Sequence, residues 1–158
     1  SSSAFADTTG TQTFTANVTA NTCTITGLNQ TIDLGTVNTT AISTDLVKFT
    51  DYSVSVAGCP DSVSNLVTKL NAADMNIYGA IPNAGSAGKG LVMAFVIGDG
   101  NTSGAPLSNN QISSKTTLKT KLTKGAGKLV LDGLWKSRGT DFSVGTILFN
   151  PVFAFDFE

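Results

Sequence analysis

The residues of this chain that could do chemistry are few. Histidine is absent, and Glu158 is the only glutamate. A hydrolase would need an activated nucleophile, and with no histidine the remaining routes are carboxylate pairs or Ser-Lys arrangements, which leave no linear signature here. The reading is therefore of a protein that is not an enzyme and carries no cofactor. Cys23 and Cys59 form one even pair in a Thr/Asn-rich chain of low charge. That context predicts a disulfide made outside the cytoplasm, since a metal site would need more ligands.

Three loops resemble ligand motifs and fall short of them. Asp99, Asn101, Ser103 and Gly104 match the first half of a calcium loop, but position twelve is Asn110 rather than a bidentate glutamate, and no flanking helices are expected. The Gly85 to Gly90 loop and Gly125-Ala-Gly-Lys128 lack the first glycine at phosphate-loop spacing, and neither has Ser or Thr after the lysine. Lys115, Lys119, Lys121, Lys124 and Lys128 lack interleaved aromatics, so they read as a solvated hairpin rather than a nucleic-acid surface. N-x-S/T sequons stand at Asn17, Asn29, Asn38 and Asn101, which fit a glycosylated domain and, in a chain so rich in Asn and Thr, fit chance equally well.

The elements that must position these residues are strands. Charged residues make up 13% of the 158 residues, against about a quarter in an ordinary domain. The net charge of -1 offers nothing to nucleic acid or an anionic membrane. Thr, Ser, Asn, Gly, Val and Phe dominate, while Glu, Gln, Arg and Met are scarce, which favours an all-β chain. No apolar run approaches the roughly 18 residues of a membrane span. Ser1 to Ala6 ends in an A-x-A pattern like the residues before a signal-peptidase cut, so the mature start is expected at Ser1 or Asp7.

Alternation predicts a strand over Thr11–Thr19, with Gln12, Phe14, Ala16 and Val18 on one face. Short strands follow at Cys23–Ile25 and Thr31–Val37, then one through Tyr52, Val54 and Val56 toward Cys59. Weaker strand signals lie at Leu66–Leu70 and Met75–Tyr78. Leu91–Ile97, seven apolar residues between glycines, suits a central strand, and Leu129–Leu131 with Leu134–Trp135 makes another. The closing stretch from Phe149 to Glu158 puts Phe153, Phe155 and Phe157 at period two on one face. Pro151 cannot donate to a ladder, which favours an edge position. The cover of that edge is expected from a neighbouring strand of the same sheet or from another chain. Short strands at this spacing predict a single sandwich or barrel domain.

Taken in order, these pieces resemble the pilins of the bacterial chaperone-usher pathway, the family that includes the type-one fimbrial subunits. The matching stretches are Phe14-x-Ala-x-Val18 before Cys23, Ile32-Asp-Leu-Gly-x-Val37, Tyr52-x-Val-x-Val-x-x-Cys59, Val92–Ile97 with the Asp99 turn, and Trp135-x-x-x-Gly139. Gly145 is fourteenth from the end and Phe157 is penultimate, which matches the family's C-terminal signature. Phe157 and Trp135 stand where the family usually has tyrosine. Ala16 stands for its glycine seven residues before the first cysteine, which implies a slightly wider acceptor groove.

The resemblance implies an incomplete immunoglobulin-like β-sandwich lacking its last strand. It implies an N-terminal extension over residues 1–20 and a pilin domain over 21–158. Gly10, Gln12, Phe14, Ala16 and Val18 would face the groove of the preceding subunit, while Gly145, Phe153, Phe155 and Phe157 would lie at this chain's own groove. The partners implied are a periplasmic pilus chaperone, an outer-membrane usher and neighbouring pilin subunits, with transit through the periplasm into an extracellular fimbria. The competing reading is a complete immunoglobulin-like adhesin or invasin module that binds a host receptor or glycan. Its loops Pro82–Gly90 and Gly98–Gln111 offer no aromatic or charged cluster to do so.

Overall fold

The computed structural model describes residues 23–27, 32–37, 47–98, 102–103, 111–139 and 141–158. The expected strand over Thr11–Thr19, with Gly10, Gln12, Phe14, Ala16 and Val18, lies outside the described residues. So do the four sequon asparagines, Asn17, Asn29, Asn38 and Asn101, and the Asp99 and Gly104 positions of the calcium-like loop. Every regular element among the described residues is a strand. They are β1 Thr24–Thr26, β2 Ile32–Val37, β3 Val47–Ala57, β4 Asn65–Asn71, β5 Ile81–Pro82 and β6 Leu91–Ile97. There follow β7 Thr102–Ser103, β8 Thr117–Lys121, β9 Gly127–Ser137, β10 Gly145–Phe149 and β11 Val152–Phe157.

The strands form a five-stranded sheet in the order β1-β3-β9-β6-β5, a four-stranded sheet β11-β4-β8-β7, and a two-stranded ribbon β10-β2. All pairings are antiparallel. The alternation read from the sequence decides which side chains go inside. Tyr52, Val54 and Val56 of β3, Leu91, Met93 and Phe95 of β6, and Leu129 and Leu131 of β9 are buried from one sheet. Leu66 and Leu70 of β4, Leu118 of β8, and Phe153 and Phe155 of β11 are buried from the other, and all join a single core. As its sequence suggests, β6 is an interior strand, paired to β9 and β5.

Cys23 and Cys59 are bonded, with their Cα atoms 4.2 Å apart, just outside the Thr24↔Ala57 pair. The bridge staples the short edge strand β1 to β3. Beneath it, Lys124 and Gly125 both take positive φ in a tight turn closed by bonds in both directions between Thr123 and Ala126. The Cys59 N–H donates to the Gly125 carbonyl, and a Cβ on Gly125 would strike the Cys59 carbonyl. That contact and the positive φ together explain the glycine.

Three local expectations are corrected. Met75–Tyr78 is a turn rather than a strand, because the Asn76 carboxamide oxygen accepts the N–H groups of both Tyr78 and Ala80 at 2.9 Å and bends the backbone. The lysine-rich stretch is not a hairpin within one sheet. β8 pairs with β4 and β7, whereas β9, only six residues further on, pairs with β3 and β6, so the turn between them is a corner joining two sheets. The closing stretch is also divided, at Asn150-Pro151. β10 joins β2, and β11 joins β4.

One core feature departs from ordinary polar bookkeeping. The Tyr52 hydroxyl is buried with no hydrogen-bond partner among the described residues, and burial pushes its ionisation well above the ordinary phenol range, so it stays protonated. An unpartnered buried hydroxyl is costly, and removing it leaves the ring stacking intact. Tyr52→Phe is expected to leave stability unchanged or raise it by up to about 1 kcal/mol in chemical denaturation. A loss of comparable size would mean that the hydroxyl is bonded.

Candidate strand-acceptor edge

The two halves of the closing stretch are covered very differently. β10 has β2 along one edge, from Gly145↔Val37 to Phe149↔Ile32, with an irregularity between Ile147 and Leu148. It lies opposite Gly35, whose φ is +74° and whose N–H is held by the Asp33 carboxylate at 2.8 Å. Along the other edge of β10 runs the loop from Asn83 to Gly88. Ala84 N–H donates to the Leu148 carbonyl and Ala87 N–H to the Thr146 carbonyl.

Asn83, which is 2% exposed, is the centre of that contact. Its carboxamide oxygen accepts the N–H groups of Gly85 and Leu148, at 2.8 and 2.7 Å. Its amide donates to the carbonyls of Gly85, Gly88 and Thr146 at 3.1–3.3 Å. Ser86 and Thr146 add a reciprocal pair of side-chain to backbone bonds at 2.9 Å. The loop lies so close to β10 that a Cβ on Gly145 would stand 2.7 Å from the Ala87 nitrogen and 2.6 Å from Ser86 Oγ. Gly85 and Gly90 would meet the Thr146 and Asp141 carbonyls in the same way. The glycines of the phosphate-like loop thus serve close packing of backbone on backbone.

β11 has cover on one side. Among the described residues its only pairing is with β4, from Val152↔Asn71 to Phe157↔Leu66. Glu158 and Asn65 exchange both main-chain bonds at 3.1 Å. In an antiparallel ladder hydrogen-bonded pairs alternate with non-bonded ones, so Asp156, Ala154 and Val152 bond to β4. Phe157, Phe155 and Phe153 therefore turn their main-chain N–H and C=O groups to the opposite edge. The Phe157 N–H is taken by its neighbour, the Asp156 carboxylate, at 2.8 Å. The geometry at Phe153 and Phe155 is that of a template for one more strand.

The side chains of the same residues anchor the edge. Phe153 and Phe155 are fully buried and Phe157 is half-buried. The Phe153 ring stacks on Tyr52 with centroids 4.3 Å apart, meets Phe95 edge-on at 5.4 Å, and lies 6.3 Å from Phe155. Rings from β11, β3 and β6 thus tie the edge strand to the opposite sheet. At the far end the Glu158 carboxylate takes Lys119 at 2.9 Å and Asn65 at 3.1 Å. The Lys119 hydrogen bond holds its ionisation below the ordinary carboxylate value.

The sequence pointed to the phenylalanines and to Gly145, and the structure places both on the closing stretch. They serve different halves, Gly145 the covered β10 and the phenylalanines β11, which is paired on one side among the described residues. It did not point to Asn83. The available signal was an asparagine within a run of Gly, Ala and Ser, a composition shared by ordinary surface turns.

This arrangement defines an all-β, immunoglobulin-like sandwich of the pilin type, with one disulfide and a last strand covered on one side among the described residues. A solved structure that shares it is the P pilus rod subunit PapA. The similarity has a TM-score of 0.61 at 13% sequence identity and covers 86% of this chain and 99% of the PapA chain. No protein-family model and no curated protein sequence matches the chain.

Proposed function

We propose that this chain is a structural, non-enzymatic subunit of a bacterial surface fimbria, which polymerises by donating one strand and accepting another. The observation that carries this reading is the outer edge of β11. It is aromatic-anchored, six residues long, and turns the main-chain groups of Phe153 and Phe155 away from β4. The incoming strand would be the N-terminal extension of a neighbouring subunit, added to the sheet by main-chain hydrogen bonds. This chain's own extension, roughly residues 7–18, would dock on the next subunit through Gly10, Gln12, Phe14, Ala16 and Val18. Phe14 and Val18 would each contribute roughly 1.5–3 kcal/mol by burial.

Before assembly the same edge would be held by a periplasmic chaperone and released at an outer-membrane usher, and the finished polymer would lie outside the cell. The Cys23–Cys59 bridge suits that oxidising route. The fold shared with a pilus rod subunit supports the same conclusion. No described helix is long and apolar enough to cross a membrane.

The donor assignment is tested with Phe14→Asp. The variant is expected to bind the chaperone normally, through its intact β11 edge, and to fail at capping the preceding subunit. Fibre growth at the normal rate and length would contradict the assignment of Phe14 as a donor anchor.

A further inference from the structure

Well away from the β11 edge, the outer face of the five-stranded sheet carries a cavity of about 250 Å³. Its floor is the cross-strand pair Ala94↔Leu134 with Val92↔Lys136 beside it. One wall is the turn Asn76–Ala80, which projects Tyr78, 51% exposed, and Gln111 lies on the lining as well. Arg138 lies two residues beyond Lys136, next to the end of β9.

The wall is rigidly held. Besides the two bonds to the Asn76 carboxamide oxygen, Asn76 N–H reaches the Ala80 carbonyl and Gly79 N–H the Asn76 carbonyl. Gly79 takes φ +89° and lies so close to the Ile112 carbonyl that no Cβ could be accommodated. Ile112 in turn donates its N–H to the Phe95 carbonyl of β6 at 2.8 Å. The backbone that carries Tyr78 is therefore fixed relative to the floor before any ligand arrives, which lowers the ordering cost of binding.

The charge of the cavity is one-sided. Lys136 and Arg138 line it, and among the described residues no acidic one does. Neither cation forms an ion pair among the described residues, whereas Lys89 pairs with Asp74 and Lys119 with Glu158. Asp132, the next outward residue of β9, sits beyond Leu134 and is not part of the lining. Two unpaired cations at one end favour a carboxylate or sulfate, which arginine meets with paired donors. The exposed tyrosine beside an apolar floor suits the flat C–H face of a ring, and Gln111 adds an amide for hydroxyl groups.

A peptide strand is a poor fit. β6 and β9 are both paired along both edges, so the floor has no main-chain groups to extend a ladder. The volume lies just below the roughly 300 Å³ at which drug-sized pockets begin, and suits one ring-sized unit.

We infer that this face is a binding site for an anionic saccharide unit, with the sugar ring against Tyr78 and its acidic group on Lys136 and Arg138. The site is independent of the strand-exchange reading. It would let each copy of the chain hold acidic glycans along its flank, whether or not the chain polymerises.

The test is an NMR titration of the full-length chain with methyl β-glucuronide, galactose 6-sulfate and neutral methyl β-glucoside. At least one anionic sugar is expected to shift amides around Tyr78, Ala94 and Leu134 saturably, with a Kd of about 1–10 mM and about tenfold tighter than the neutral sugar. A response to the glucuronide identifies a carboxylated ligand, and one to the sulfate a sulfated ligand. Lys136→Gln with Arg138→Gln is expected to remove that preference at an unchanged thermal midpoint. Tyr78→Ala is expected to weaken all saturable binding. Equal binding of the neutral sugar, saturable shifts confined to other surfaces, or no saturable shift with either anionic sugar would overturn the site. So would an acidic tetrapeptide that bound these residues when the sugars did not.

Discussion

Phe153→Ala is expected to lower the stability of the folded chain by about 3–5 kcal/mol, the range for removing a buried aromatic ring. The ring has no solvent exposure and touches three other aromatic rings, two of them on the opposite sheet. Its loss leaves a void between Tyr52 and Phe95. Neither ring can easily collapse into that void, because β3 and β6 are each paired on both sides. For a chain of this size each kcal/mol moves the thermal midpoint by about 2–4 °C, so a drop of roughly 10 °C should be visible. Ala154→Ser, on the exposed face of the same strand, is the control and should change stability by less than about 0.5 kcal/mol. A Phe153→Ala loss below about 1 kcal/mol would mean that the ring does not bridge the sheets.

Asn83→Ala is expected to cost about 3 kcal/mol, because the Gly85 and Leu148 N–H groups lose their acceptor and each group left unsatisfied in a buried place costs about 1–3 kcal/mol, while the Gly85, Gly88 and Thr146 carbonyls keep only their second donors, the N–H groups of Gly88, Leu91 and Ala87. Asn83→Asp should be at least as damaging. The carboxylate still accepts from Gly85 and Leu148, but it presents an oxygen where the amide donated to three carbonyls. Urea denaturation of both variants checks this. An Asp variant as stable as the natural chain would show that the three donated bonds contribute nothing.

The contrast between these two residues marks what could be read in advance. Phe153 and Phe155 were legible because a strand writes its buried face into the sequence at period two, and Tyr52, Val54 and Val56 did the same for β3. The interior position of β6 was legible from an apolar run bounded by glycines. Asn83 was not, because its importance lies in the five groups that converge on it, two of them in β10, more than sixty residues away. The division of the closing stretch was only half visible. Pro151 announces an interruption, but nothing local says that the halves join different partners. The same holds for the lysine-rich stretch, since a tight turn within one sheet and a corner between two use the same residues. Lys136 and Arg138 escaped notice because their cavity is completed by a turn from sixty residues earlier in the chain.

The residues expected to donate a strand, from Gly10 to Val18, lie outside the described residues, so the central claim is best tested from the side of the acceptor. The decisive measurement is the denaturation midpoint of a chain lacking residues 1–20, with and without a synthetic peptide spanning Asp7 to Ala20. If the outer edge of β11 is an acceptor, the peptide should raise the midpoint strongly and dissociate slowly on dilution, through a ladder in which each main-chain bond contributes about 0.5–1.5 kcal/mol. A truncated chain that already unfolds cooperatively at high denaturant, indifferent to the peptide, would contradict strand acceptance and point to a complete sandwich.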